Sequence, residues 1–180
     1  MGGLILGHGA GGGTQAPDLQ AASAAAGAAG FTVVLVEQPY RVAGRRSPAP
    51  AHQLDAAWRA VVTDLRKREL RGLLLVVGGR SSGARVACRT AAETEAAAVL
   101  CLAFPLHPPG RAGDPEKSRL PELEAVTVPI LVVQGERDPF GMPPSAPGRT
   151  VIVVPGNHAL RQATAVREAI EPWLAALSTN

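Results

Sequence analysis

Short apolar runs alternate with helix-length stretches from one end of the chain to the other. Leu4-Ile5-Leu6 leads into a glycine-rich segment, residues 8–13 (HGAGGG). Residues 15–29 are alanine-dense, which predicts a helix because alanine gives up no side-chain freedom there, and Gly30 stops it. Residues 31–37 (FTVVLVE) are rich in β-branched side chains and bounded by Pro39, as a strand should be. Residues 52–70 predict an amphipathic helix, with Leu54, Trp58, Val61, Val62 and Leu65 at helical spacing. The apolar run 73–77 then reads as a strand covered on both faces. The alternation continues with a helix over 81–95, a strand over 97–102 and a proline-rich loop over 104–121. Strands at 129–133 and 150–154 follow, and a closing helix over 160–177 is expected to bend or restart at Pro172. Strands separated by helices predict an α/β protein: a mostly parallel six-stranded sheet with helices on both faces.

The 180 residues make about one domain, and no linker or repeat divides them, so residues 1–180 are expected to form a single unit. Hydrophobic residues make up 46%, which suits a packed core and excludes wholesale disorder. No apolar run reaches the ~18 residues of a membrane span. No cationic head precedes the first apolar run, so no secretory leader is expected. Cys88 and Cys101 lie in apolar surroundings without metal-like spacing. They read as buried thiols of a cytoplasmic protein, with no metal site. The net charge of +3 is carried mostly by arginine, without a basic tail. Aromatic residues are only 3%, too few for base-stacking platforms, so a nucleic-acid partner is not expected.

In doubly wound sheets the chemistry sits on loops after the carboxyl ends of strands. Gly79-Arg80-Ser81-Ser82-Gly83 follows the 73–77 strand and precedes a helix, the setting that G-x-S-x-G requires. A nucleophile on so sharp a turn needs neighbours without side chains two residues either side. The Ser82 N–H then lies at a helix start, where partial positive charge favours an oxyanion. A serine needs a base, and the base an orienting acid. Asp138 follows the fifth strand and His158 the sixth, in the chain order that this architecture uses. Glu136 is the reserve acid. Taken singly, Ser81 also suits a helix N-cap and Asp138 a turn; the three together in order and place favour catalysis.

His8-Gly9-Ala10-Gly11 follows the first strand and offers the Ala10 N–H as a second oxyanion donor, with His8 ordering the loop. The same segment supports a rival. Gly7, Gly9 and Gly12 form G-x-G-x-x-G, and Glu37 ends the next strand, as in a dinucleotide site. That reading leaves Ser81, Asp138 and His158 unexplained. Around the site, Tyr40, Arg41, Arg45 and Arg46 lie after the second strand and His107 and Arg111 after the fourth, with Arg80 inside the turn. His8, Gly9, Gly11, Tyr40, Arg41, Arg80 and His107 are therefore candidate substrate-binding residues. The arginines suit a carboxylate-bearing substrate or, alternatively, are solvated charge.

The segments 7–12 (GHGAGG), 78–87 (GGRSSGARVA), 104–110 (FPLHPPG), 128–141 (VPILVVQGERDPFG) and 156–158 (GNH) resemble the α/β-hydrolase superfamily. Within it they are similar to the small dienelactone-hydrolase-like proteins, and to the branch holding the hydrolase-like domain of an NSL chromatin-complex subunit and its testis-expressed relative. The resemblance implies a compact α/β-hydrolase fold and a serine hydrolase without a cofactor. It also implies a small ester, thioester or lactone as substrate, with Ser81 as nucleophile, Asp138 as acid and His158 as base. Relative to the larger members, the chain is expected to lack their opening antiparallel strands and a lid domain, with residues 104–121 in the lid's place. The branch also contains scaffold-like relatives, so a non-catalytic interaction module is the alternative.

Overall fold

Successive side chains of a strand point to opposite faces of a sheet, and the apolar runs here supply both faces. In the computed structural model, which describes residues 1–178, Leu4, Leu6, Val76, Leu100, Leu102, Leu131 and Val133 share one core. Ile5, Leu75, Val77, Val99, Cys101, Ile130 and Val132 share the other. Among the described residues the sheet has six strands: β1 (Gly2–Gly7), β2 (Thr32–Val36), β3 (Leu74–Arg80), β4 (Ala98–Leu102), β5 (Ile130–Gly135) and β6 (Arg149–Val154). Their order is β2-β1-β3-β4-β5-β6, and every pairing between them is parallel.

Helices α1 (Pro17–Ala28) and α6 (Ala163–Ser178) cover the first core, where Ala22, Ala25 and Ala26 of α1 pack with Ile170 and Leu174 of α6. Helices α3 (Ala51–Lys67) and α4 (Ser82–Thr90) cover the second through Trp58, Val62, Ala84 and Ala87. Each large aliphatic side chain so buried contributes about 1.5–3 kcal/mol. Trp58 is core, whereas Val61, on the same predicted helix, turns outward. Two short helices, α2 (Pro39–Val42) and α5 (Leu120–Glu124), lie in the connections.

The chain runs from β1 to β2 on one side and then places β3 on the other side of β1. The loops after β1 and β3 thus leave adjacent strand ends in divergent directions, which opens a crevice between them.

Four details differ from the sequence pattern. β3 extends beyond the apolar run to Arg80, because Gly78, Gly79 and Arg80 pair with Leu100, Cys101 and Leu102 of β4. α4 ends at Thr90; beyond it Thr94 Oγ1 donates to the Thr90 carbonyl and Glu95 turns to φ 52°. α6 begins only at Ala163, after Leu160 at φ 45°, and then carries Pro172 within one helix rather than restarting. α2 forms in a segment read as loop, because Pro39 presets the first helical turn and Tyr40 is buried. The connection from β4 to β5 contains a single 3-10 turn (Pro115–Lys117) and α5 among the described residues, not a lid domain.

Candidate active site

Ser81 is the single residue between β3 and α4, and the sharp reversal there sets its backbone at φ 52°, ψ −111°. A non-glycine residue in that region stores about 1–3 kcal/mol of strain, which the surroundings must hold in place. They do so by close backbone packing. A Cβ on either Gly79 or Gly83 would run into the Gly7 carbonyl oxygen, and Ser81 N–H donates to the Leu102 carbonyl at 2.9 Å. Ser81 occupies the N-cap position of α4, yet its hydroxyl makes no capping bond.

That hydroxyl lies 2.9 Å from His158 Nε2, and His158 Nδ1 lies 2.8 Å from Asp138 Oδ2. A carboxylate only accepts, so Nδ1 carries the ring proton and Nε2 is left to accept from Ser81. The Asp138 side chain is fully buried and that of His158 is 18% exposed. Asp138 Oδ1 accepts from Phe140 N–H at 2.9 Å, and Oδ2 accepts a second donor, Gln134 Nε2, also at 2.9 Å. Gln134 Nε2 further faces the carbonyls of Gly141 (2.9 Å) and Phe104 (3.1 Å). All of these neighbours are acceptors, which fixes the orientation of the amide. The Phe140 ring lies against the imidazole, with centroids 4.3 Å apart. Two backbone approaches bring the acid and histidine loops together. Arg137 N–H donates to the Gly156 carbonyl at 2.9 Å, and a Cβ on Gly135 would sit 2.5 Å from the Asn157 carbonyl oxygen.

The loop after β1 closes over the serine from the other side. His8 is wholly buried; its Nε2 accepts from Gln38 N–H at 2.9 Å, so Nδ1 bears the proton and donates to the Gly9 carbonyl at 2.8 Å. With the trans peptide, the Ala10 N–H points the opposite way from that carbonyl. A Cβ on Gly9 would lie 2.9 Å from Arg80 Nη1 and 3.3 Å from Ser81 Cβ. The Tyr40 hydroxyl donates to the Ala10 carbonyl at 3.3 Å; burial pushes its phenol up, with the nearby Arg41 charge opposing.

Arg80 turns inward. Its Nε meets Asp18 Oδ2 at 2.9 Å, and Nη2 donates to the His158 carbonyl at 3.0 Å. The structure therefore brings Ser81, Asp138, His158, Gly9, Arg80 and the loop-ordering His8 together. His107 is also buried, with its N–H on the Phe140 carbonyl at 2.9 Å. Arg41 and Gly11 face solvent, and Arg45 and Arg46 line a separate surface pocket of about 570 Å³ with Tyr40 and Gln53. Gly12 has room around it, its nearest prospective contact being Ala16 Cβ at 3.9 Å. The close packing that the third glycine of a dinucleotide loop serves is absent there.

Sequence reasoning missed Gln134, Phe140 and Asp18. A polar residue closing the apolar β5 strand was the visible signal for Gln134; Asp18 reads as an ordinary helix-start acid until its burial is known.

Residues 2–161 match the family described as Alpha/beta hydrolase domain. No curated protein matches the sequence significantly. Among solved structures, the chain is similar to an α/β serine hydrolase without a lid from Xanthomonas campestris. That pair has 22% identity and a TM-score of 0.72, covering 95% of this chain and 81% of the other. Ferulic-acid-bound Est1E from Butyrivibrio proteoclasticus is 16% identical with a TM-score of 0.78, covering 100% and 90%. A dienelactone hydrolase from Anabaena variabilis is 17% identical with a TM-score of 0.76, covering 98% and 86%. These likenesses share the fold, and the match over 2–161 gives the lineage: the chain belongs to the α/β hydrolase domain family.

Proposed function

We propose that this protein is a serine hydrolase of small esters, thioesters or lactones, with Ser81 as nucleophile, His158 as base and Asp138 as its orienting acid. The observation that carries the reading is the unbroken line from Asp138 Oδ2 through both ring nitrogens of His158 to Ser81 Oγ, at 2.8 and 2.9 Å.

In the reaction, Ser81 Oγ attacks the carbonyl carbon while His158 Nε2 takes the hydroxyl proton. Asp138 stabilises the imidazolium and keeps the proton on Nδ1. The oxyanion forms opposite the Ala10 and Ser82 N–H groups. The imidazolium then protonates the departing alcohol, thiol or ring oxygen. Water, deprotonated by His158, attacks the acyl-enzyme and frees Ser81. An open rim without a lid suits short acyl groups. The segments 78–87, 104–110 and 128–141 support a place among the dienelactone-hydrolase-like proteins, on the branch of the NSL-subunit domain. Cys88 and Cys101, free and buried with sulfurs 3.5 Å apart, suit a reducing, cytoplasmic setting.

A fluorophosphonate probe should label the native chain and not Ser81→Ala, and Ser81→Ala should lose at least roughly 10,000-fold in ester hydrolysis. A native chain that resists the probe would instead be the non-catalytic module.

A further inference from the structure

Arg80 is an arginine beside a nucleophile, a place where a guanidinium ordinarily greets an anionic substrate. Here it is spoken for. Its side chain is 15% exposed, Nε is held by Asp18 Oδ2 at 2.9 Å, Nη2 donates to the His158 carbonyl at 3.0 Å, and Nη1 lies over Gly9. Asp18, in the first turn of α1, is completely buried, and its Oδ1 accepts from Leu19 N–H at 3.0 Å. A buried ion pair is seldom a net source of stability compared with apolar residues of the same volume, although removing one partner is costly. What such a pair supplies well is a fixed direction. Asp18 holds the guanidinium in place by charge, with Oδ2 2.9 Å from Nε, and the planar fork then sets where the second donor points.

That donor meets the backbone of His158 in a segment between β6 and α6 that has no ladder of its own. Gly156 (φ 121°) and Leu160 (φ 45°) bracket it in left-handed conformations. The neighbouring anchors are Arg137 N–H on the Gly156 carbonyl and Leu160 N–H on the Asn157 carbonyl. The His158 carbonyl is one bond from the Cα that carries the imidazole, so holding it sets the direction in which the ring leaves the chain.

We propose that Arg80 is a positioning residue rather than a substrate ligand. Anchored on Asp18, it grips the His158 carbonyl and keeps the imidazole aimed at Ser81. The inference rests on the reading of Ser81 and His158 as nucleophile and base. It also gives glycine a use at position 9, where a Cβ would come within 2.9 Å of the guanidinium Nη1 and press it from its place. Lysine keeps the charge but offers a single point of donors on a flexible stem, so it cannot hold both partners in one plane.

The experiment compares the native chain with Arg80→Lys and Asp18→Asn, using p-nitrophenyl acetate and its succinate half-ester as neutral and anionic substrates. Arg80→Lys should lower kcat roughly 10- to 100-fold for both, because a misplaced base costs rate rather than binding. KM should stay within about twofold. Asp18→Asn should move kcat the same way by roughly 3- to 10-fold, and millimolar guanidinium should restore part of the rate of Arg80→Ala. An increase in KM confined to the anionic ester, with kcat intact, would make Arg80 a substrate ligand and overturn the proposal. Turnover is not the only reading. The low-field proton resonance of His158 Nδ1, bonded to Asp138, should exchange with solvent faster in both folded variants than in the native chain. An unchanged resonance overturns the proposal even if the native chain turns over nothing. A native chain that fluorophosphonate does not label sinks the nucleophile assignment instead, and the resonance still decides for Arg80. If Arg80→Lys does not fold, Asp18→Asn carries the same pair of readings.

Discussion

Two glycine-rich segments meet at the centre of the sheet, and they use their glycines differently. In the segment that joins the end of β3 to the start of α4, glycine is obligatory. A Cβ at Gly78 would collide with the Leu100 carbonyl, and one at Gly79 or Gly83 with the Gly7 carbonyl. In the segment from the end of β1 onward, Gly7 and Gly9 are hemmed in, but a Cβ added at Gly11 or Gly13 would meet no described heavy atom within 4 Å beyond its chain neighbours. Similar composition thus conceals a jointed, backbone-on-backbone contact in one and a partly free loop in the other. Glycine marks a site only where another main chain comes close.

Gly83→Ala should destabilise the fold by about 3 kcal/mol, since the obstructing atom is backbone and cannot rotate away. Urea unfolding measures it; a loss below about 1 kcal/mol would mean the two segments are not jointed.

Asp18, which ties the two segments through Arg80, comes next. Burial raises its carboxyl above the ordinary 3.8, against the opposing pull of Arg80 and the Leu19 N–H. A carboxyl that holds its proton more tightly when folded favours the fold most below that ordinary value. This contribution is lost as the pH climbs through the raised value. The stability of the native chain relative to Asp18→Asn should therefore fall as the pH rises above the ordinary carboxyl value of 3.8, by at most about 1.4 kcal/mol per pH unit. Denaturant titrations across that range read the slope, and a relative stability that rises with pH would mean the Arg80 pairing outweighs burial.

Tyr40→Phe removes the hydroxyl that donates to the Ala10 carbonyl. It should cost about 0.5–1.5 kcal/mol in the same assay, and a loss near zero would show that the first loop is held by His8 alone. Smallest of all, Gly11→Ala should change stability by no more than about 0.5 kcal/mol. A larger loss would erase the contrast between the segments.

The strands, their parallel arrangement and the order of Ser81, Asp138 and His158 were legible because each depends on local pattern: apolar runs, turn residues, position after a strand. The end of β3 was not, because Gly78 and Gly79 look like loop residues until β1 and β4 are seen to pair on either side. Nor was the surround of the acid. Gln134 reaches Asp138 only because β5 ends beside the turn, and Phe140 meets the His158 ring only once two loops fold together. Arg80 was singled out as a residue that meets substrate, since sequence cannot tell that its side chain runs back toward a helix start 62 positions earlier, at Asp18. Contacts across loops belong to rotamers and chain crossing, on which periodicity is silent.

The Gly7 carbonyl, wedged where Gly79 and Gly83 leave no space for side chains, works as a keystone. Insertions on either inner loop would have to lift it, so changes in sequence are accommodated most readily in the outer connections, around 39–50 and 104–121. A designer grafting new specificity onto this scaffold should cut there and leave the arch alone.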